Sequence, residues 1–133
     1  MSRRLAILDD NDERLTERLA ALRRQLPPLI AGRACAAIVI GSVAAGRARD
    51  ASDIDVVIVL RAGQPRRDDY RWWDADVVPG LGEAPDGRFP VQPVIIARAS
   101  VTTEEPHLRA ALATGISLWD PEHLVDDEPE AGA

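Results

Sequence analysis

Asp53 and Asp55 stand two residues apart at the head of one apolar run, and Gly41 and Ser42 stand at the tail of another, with ten residues between Ser42 and Asp53 in "GSVAAGRARDASDIDVVIVL". On an extended strand, side chains two apart point to one side. Two carboxylates so placed repel one another unless a cation lies between them. Their hard oxygen donors beside a phosphate site imply Mg²⁺. A glycine at a strand end lets backbone approach a ligand closely, and the serine after it can offer hydroxyl and amide to a phosphate. "VAAGRA" then reads as the first turn of a short helix whose N-terminus favours that anion. Arg47 and Arg49 can pair with phosphate oxygens. A metal bridging a triphosphate and an attacking hydroxyl is what in-line nucleotidyl transfer requires. The simpler alternative is that "ASDID" is a turn in which Ser52 and Asp53 bond local backbone. Both halves falling at the ends of predicted buried strands favours the phosphate and metal reading.

Those strands follow from the apolar pattern. Cys35 to Ile40 is short, apolar and β-branched at its end, and Gly41 closes it. Asp53 to Leu60 alternates and then becomes continuously apolar, as for a central strand covered on both faces. Val91 to Ala97 reads as a third strand, with Pro93 removing a ladder donor and favouring an edge or a bulge. "GISLW" reads as a last short strand. Leu15, Leu19, Leu22 and Leu26 form the stripe of an amphipathic helix over residues 9–26, begun in an acidic cluster and stopped by Pro27 and Pro28. "RRDDYRWWDADVV" offers a short helix and "PGLGEAPDGRFP" a turn-rich loop. Thr102 or Thr103 is expected to cap another helix that has Glu104 and Glu105 in its first turn and Gly115 at its stop. The acidic tail, residues 123–133, is expected to fray from a domain of residues 1–122.

Composition narrows the chemistry. The chain has 133 residues, 46% of them hydrophobic, enough for one core. All sixteen basic residues are Arg, which excludes a P-loop lysine, a Schiff base and an adenylated lysine. The single cysteine, Cys35, excludes an internal disulfide and a multi-cysteine zinc site, and reads as a small buried hydrophobe. A net charge of −6 opposes non-specific attraction to nucleic acid or anionic membrane. With no long apolar span or leader-like start, the chain reads as soluble and cytoplasmic.

The Gly-Ser and Asp-x-Asp stretch resembles the nucleotidyltransferase superfamily of DNA polymerase beta, in its minimal members, which include MNT antitoxins paired with HEPN toxins. The resemblance covers about residues 9–120, and "HLRAALATGISLWD" is similar to the helix and strand that close the minimal domain. It implies an α/β (α+β) fold, a small mixed sheet flanked by helices, together with Mg²⁺ and NTP use. It puts Gly41, Ser42, Asp53 and Asp55 in nucleotide and metal roles. It implies transfer of a nucleoside monophosphate, AMP first, to a hydroxyl acceptor. The chain is short for an acceptor-binding domain, so a partner protein is expected as acceptor, a HEPN-type toxin tyrosine ahead of an aminoglycoside-like small molecule. Oligomer formation is left open. The family's third carboxylate falls on the next core strand, where this sequence has Gln92, which can neither chelate as an anion nor act as a base. Asp74, Asp76, Glu83 and Asp86 are the candidates to replace it. The competing reading is a degenerate binding module that neutralises a partner by complex formation.

Other residues carry weaker signals. Trp72 and Trp73 suit core packing ahead of nucleobase stacking. His107 and His123 lack metal-ligand spacing, and Arg66 and Arg67 read as solvated loop charges.

Overall fold

A computed structural model describes residues 10–47, 53–81, 89–102 and 105–125. Its centre is a mixed four-stranded sheet of β1 (Ala34–Ile40), β2 (Ile54–Leu60), β3 (Val91–Ile96) and β4 (Ile116–Trp119), in the order β3-β2-β1-β4. β1 pairs antiparallel with β2 and with β4, and β2 pairs parallel with β3. The two central strands are the most apolar segments, and every residue of β1 from Ala34 to Val39 is buried. Helices lie on both faces, as continuous apolar strands require.

The first face is covered by α1 (Asp10–Ile30), which presents Leu15, Leu19, Leu22, Leu26 and Ile30 to Val39, Val56 and Ile58. Full burial of each such side chain contributes about 1.5–3 kcal/mol. The expected stop at Pro27 and Pro28 is therefore corrected, since the helix carries both prolines and ends one turn later. Ile30 is fully buried, and the Ala31 N–H donates to the Pro27 carbonyl at 2.9 Å, so tertiary packing outweighs the lost helical donors.

The connection from β2 to β3 is more helical than its composition implies. It begins with α3 (Arg67–Trp72), widens into a π-helical turn (Trp73–Val77) and ends in α4 (Val78–Leu81), so the first part of the expected loop, Pro79 and Gly80 included, is helix. Trp73 and Val77 are buried in the first-face core, which holds the segment in helical register. Asp69 begins α3 by accepting the Arg66 N–H at 2.8 Å, and its other oxygen meets Arg33 at 3.0 Å. Arg33 in turn lies over the Trp72 ring, 5.0 Å from its centroid. Both tryptophans are thus packing residues.

The second face carries Cys35, Ala36, Ile38, Val57 and Val59 under α5 (Pro106–Ala113), whose Leu112 is buried among them. A bulge at Cys35 lets Ala34 and Ala36 face opposite sides of the sheet, and the thiol donates to the Leu60 carbonyl at 3.7 Å. Burial pushes that thiol up from its ordinary pKa, consistent with a packing role. The cap of α5 is Glu105, which accepts the Leu108 N–H at 2.8 Å. Thr102 ends a 3₁₀ turn (Arg98–Thr102) instead, and Thr103 and Glu104 lie outside the described residues. Leu124 and Val125 pack against this face, with their N–H groups donating to Asp120, so the packed body runs beyond residue 122.

β3 is an edge strand, as Pro93 implied. Its outward Ile95 N–H donates to the Tyr70 hydroxyl at 3.2 Å, so one donor of this edge is absent and another is capped.

Candidate active site

The sheet register brings the sequence motif together at one end of the second face. Asp55 is the β2 partner of Ile40, the last residue of β1, and Gly41 follows directly. Asp55, Val57 and Val59 share a face by alternation, and the latter two belong to the second-face core. The Ile54 N–H donates to the Pro90 carbonyl at 2.7 Å, which fixes the start of β2 against the start of β3. Asp53 is exposed just ahead of β2, and Asp55 is part-buried. Burial, with the Asp53 charge adding to it, raises the Asp55 carboxyl above its ordinary pKa. The two carboxylates therefore interact, as their spacing predicts.

Gly41 fits against this pair. Its φ of +79° lies in the left-handed region, and an added Cβ would stand 2.8 Å from Asp55 Oδ2. The glycine leaves a cradle beside the carboxylate that any side chain would fill. α2 (Gly41–Ala44) starts on this residue, earlier and shorter than the expected helix, so Gly41 and Ser42 carry N–H groups without intrahelical partners. Ser42 is part-buried and its carbonyl accepts the Arg47 N–H at 2.8 Å. Arg47 is exposed on the turn after α2, while Arg49 lies outside the described residues.

Gln92 is the β3 partner of Asp55. Paired residues on neighbouring strands project to the same face, so this exposed amide stands beside the carboxylate. Asp74 and Asp76 are exposed on the π turn whose buried side chains join the core of the opposite face, which leaves them on the far side of the sheet from Asp55. Glu83 and Asp86 lie outside the described residues. Among the described residues no group of three or more His, Cys, Asp or Glu could hold a metal ion. His107 is exposed and 3.1 Å from Glu105, away from the motif.

The sequence reading did not single out Val94, which follows Gln92 on the same face, pairs with Val57 and is 37% exposed. The alternation of "VQPVII" carried that signal. Among the described residues, no helix is long and apolar enough to cross a membrane.

Residues 32–94 match the family model of the nucleotidyltransferase domain. The match runs from the turn before β1 into β3 and contains the Gly-Ser and Asp-x-Asp residues with the strands that present them. The mixed sheet with helices on both faces is consistent with the fold of that domain, and over residues 32–94 the chain is similar to the nucleotidyltransferase domain. No curated protein and no solved structure matches the chain.

Proposed function

We propose that the protein transfers a nucleoside monophosphate from an NTP, ATP first, to a hydroxyl acceptor, with Asp53 and Asp55 holding Mg²⁺. The observation that carries this reading is the meeting of Asp53, Asp55 and the side-chain-free Gly41 at one strand end, inside the segment of the family match. The residues fit the cation: two interacting carboxylates supply hard anionic donors, and the space beside Asp55 Oδ2 is open only because residue 41 is glycine. When bound, Mg²⁺ would neutralise charge on the triphosphate and the reacting oxygens. Ser42 and the N-terminal amides of α2 would receive phosphate oxygens, and Arg47 would pair with them. The acceptor oxygen forms a bond to the α-phosphorus, the α-phosphorus to pyrophosphate-oxygen bond breaks, and the hydroxyl proton leaves to solvent. The acceptor we put first is a tyrosine of a HEPN-type partner protein, on the resemblance to MNT antitoxins, and an aminoglycoside-like small molecule comes second.

A second reading has its own observation. Gln92 beside Asp55 supplies no anion and no base, which favours a binding module that holds nucleotide and partner without transfer. ATP labelled at the α- or the γ-phosphate, incubated with Mg²⁺ and whatever protein copurifies, separates the two. Label from the α-position alone on the partner is the result expected for transfer. Saturable nucleotide binding with no label on any partner supports the module. Nucleotide binding that survives Asp53→Asn with Asp55→Asn overturns both.

A further inference from the structure

The residues paired with Asp55 across both of its ladders are uncharged. On one side, across the β1–β2 ladder, stands apolar Ile40. On the other, across the β2–β3 ladder, stands Gln92, on the same face and about 4.8 Å away by strand spacing. Ahead of it lies Gly41, which contributes only backbone. Among the described residues no third carboxylate, imidazole or thiolate joins the pair. Among the described residues, the side-chain donors of this patch are therefore two carboxylates and one neutral amide.

That donor set has a fixed capacity. One divalent cation on Asp53 and Asp55 cancels their charge. A second would meet only an amide oxygen and the nucleotide's own phosphates, and Mg²⁺ dehydrates reluctantly without carboxylate ligands. Even the first cation has most of its coordination positions left for other oxygens, which a triphosphate can supply.

We infer that this is a one-cation site. Asp53 and Asp55 take a single divalent cation together with the triphosphate, each strengthening the binding of the other, and Gln92 is the residue that limits the count. The inference rests on the nucleotidyltransferase reading above but concerns a property of this chain's own ligands. Reciprocal coupling follows because cation and nucleotide complete one another's contacts, and linkage makes the effect equal in both directions.

Counting bound Mn²⁺ tests it without any turnover. Paramagnetic resonance reports free Mn²⁺ during titration of the protein saturated with an ATP analogue whose α–β bridging oxygen is replaced by methylene. One Mn²⁺ per complex is expected for the wild type, and affinity for Mn²⁺ should fall at least tenfold when the analogue is left out. Gln92→Asp, and independently Gln92→Glu, should raise the count to two. Gln92 is exposed on an edge strand, so both variants are expected to fold, and the wild-type count stands by itself if one does not. A wild-type count of two overturns the inference and points to an acid outside the described residues. A count that stays at one in the folded variants overturns the role given to Gln92. No Mn²⁺ binding that depends on Asp53 and Asp55 would instead overturn the nucleotidyltransferase reading of the site, an outcome distinct from either of these.

Discussion

Gly41 and Asp55 share one small volume: a Cβ on the glycine would stand 2.8 Å from Oδ2 of the aspartate. The positive φ of Gly41 adds an independent demand, since a left-handed backbone costs an L-residue about 1–2 kcal/mol. From sequence, the glycine was needed only for phosphate approach. The structure gives it a share in stability as well.

Gly41→Ala is therefore expected to lower stability by about 1–3 kcal/mol, combining the backbone cost with the collision. It should also weaken nucleotide binding, because the aspartate must move. A double-mutant cycle with Asp55→Ala divides the two causes. The cost of Gly41→Ala should fall by at least ~0.5 kcal/mol in the Asp55→Ala background, leaving the backbone part. Chemical denaturation of the four proteins reads this directly, and equal costs in both backgrounds would mean that the carboxylate contact is irrelevant.

Asp55 is expected to destabilise the metal-free protein at neutral pH. Its folded-state pKa is raised, first by burial and then by Asp53, so the folded chain holds the proton more tightly than the unfolded chain. The resulting penalty is absent below the unfolded pKa, grows as pH rises through the folded one, and is complete above it. Asp55→Asn should raise metal-free stability at pH 7 by about 0.5–2 kcal/mol, and the gain should vanish on acidification to the unfolded carboxyl range. Mg²⁺ with ATP should stabilise the wild type and leave this variant unmoved. Thermal melts with and without Mg²⁺ and ATP decide it, and a variant less stable than wild type at pH 7 without metal would contradict the expectation.

The motif was legible in sequence because its parts are local. Gly41 and Ser42 end one apolar run and Asp53 and Asp55 begin the next, and antiparallel pairing of two such runs brings those ends together whatever the loop does. For the third strand, Pro93 alone narrowed the choice to an edge or a bulge, and the sheet order makes it an edge. Where the reading failed, long-range packing overrode a local signal. Pro27 and Pro28 mark a helix end by local chemistry, yet buried Ile30 holds one more turn. Gly115 follows the end of α5 as expected, and packing adds a second demand for glycine there, since a Cβ would lie 2.5 Å from Ile38 Cγ2 and 2.8 Å from the Val39 carbonyl oxygen. The helical connection between β2 and β3 was legible in "RRDDYRWWDADVV", whereas its continuation as α4 was hidden because Pro79 and Gly80 signal a turn locally.

Asp69 is expected to anchor that connection through its cap more than through its ion pair. Its carboxylate is nearly buried and accepts the Arg66 N–H, whereas the Arg33 side chain that it meets is 43% exposed and its charge is largely screened. Asp69→Ala should cost on the order of 2 kcal/mol. Asp69→Asn retains an acceptor oxygen and should recover most of that loss. Urea unfolding of both variants checks the ranking, and an Asn variant as damaged as the Ala variant would assign the stability to the ion pair.

Gln92 is expected to limit the rate of the proposed transfer. It stands beside Asp55 on the same face, where a carboxylate could accept the proton of an attacking hydroxyl and an amide cannot. If nothing replaces that function, the wild type should bind Mg²⁺ and ATP yet transfer slowly, and Gln92→Asp should raise the single-turnover transfer rate on the order of 10²- to 10⁴-fold. A third anion beside Asp53 and Asp55 should lower stability in the absence of metal, so the rate gain should appear only with Mg²⁺ and should be accompanied by a lower melting temperature in chelator. Quenched-flow measurement with α-labelled ATP and the copurified acceptor reads the rate, and melts in chelator read the cost. Fast transfer by the wild type, unimproved by Gln92→Asp, would place the base elsewhere. Asp74 and Asp76 project from the far side of the sheet, which would direct the search to Glu83 and Asp86.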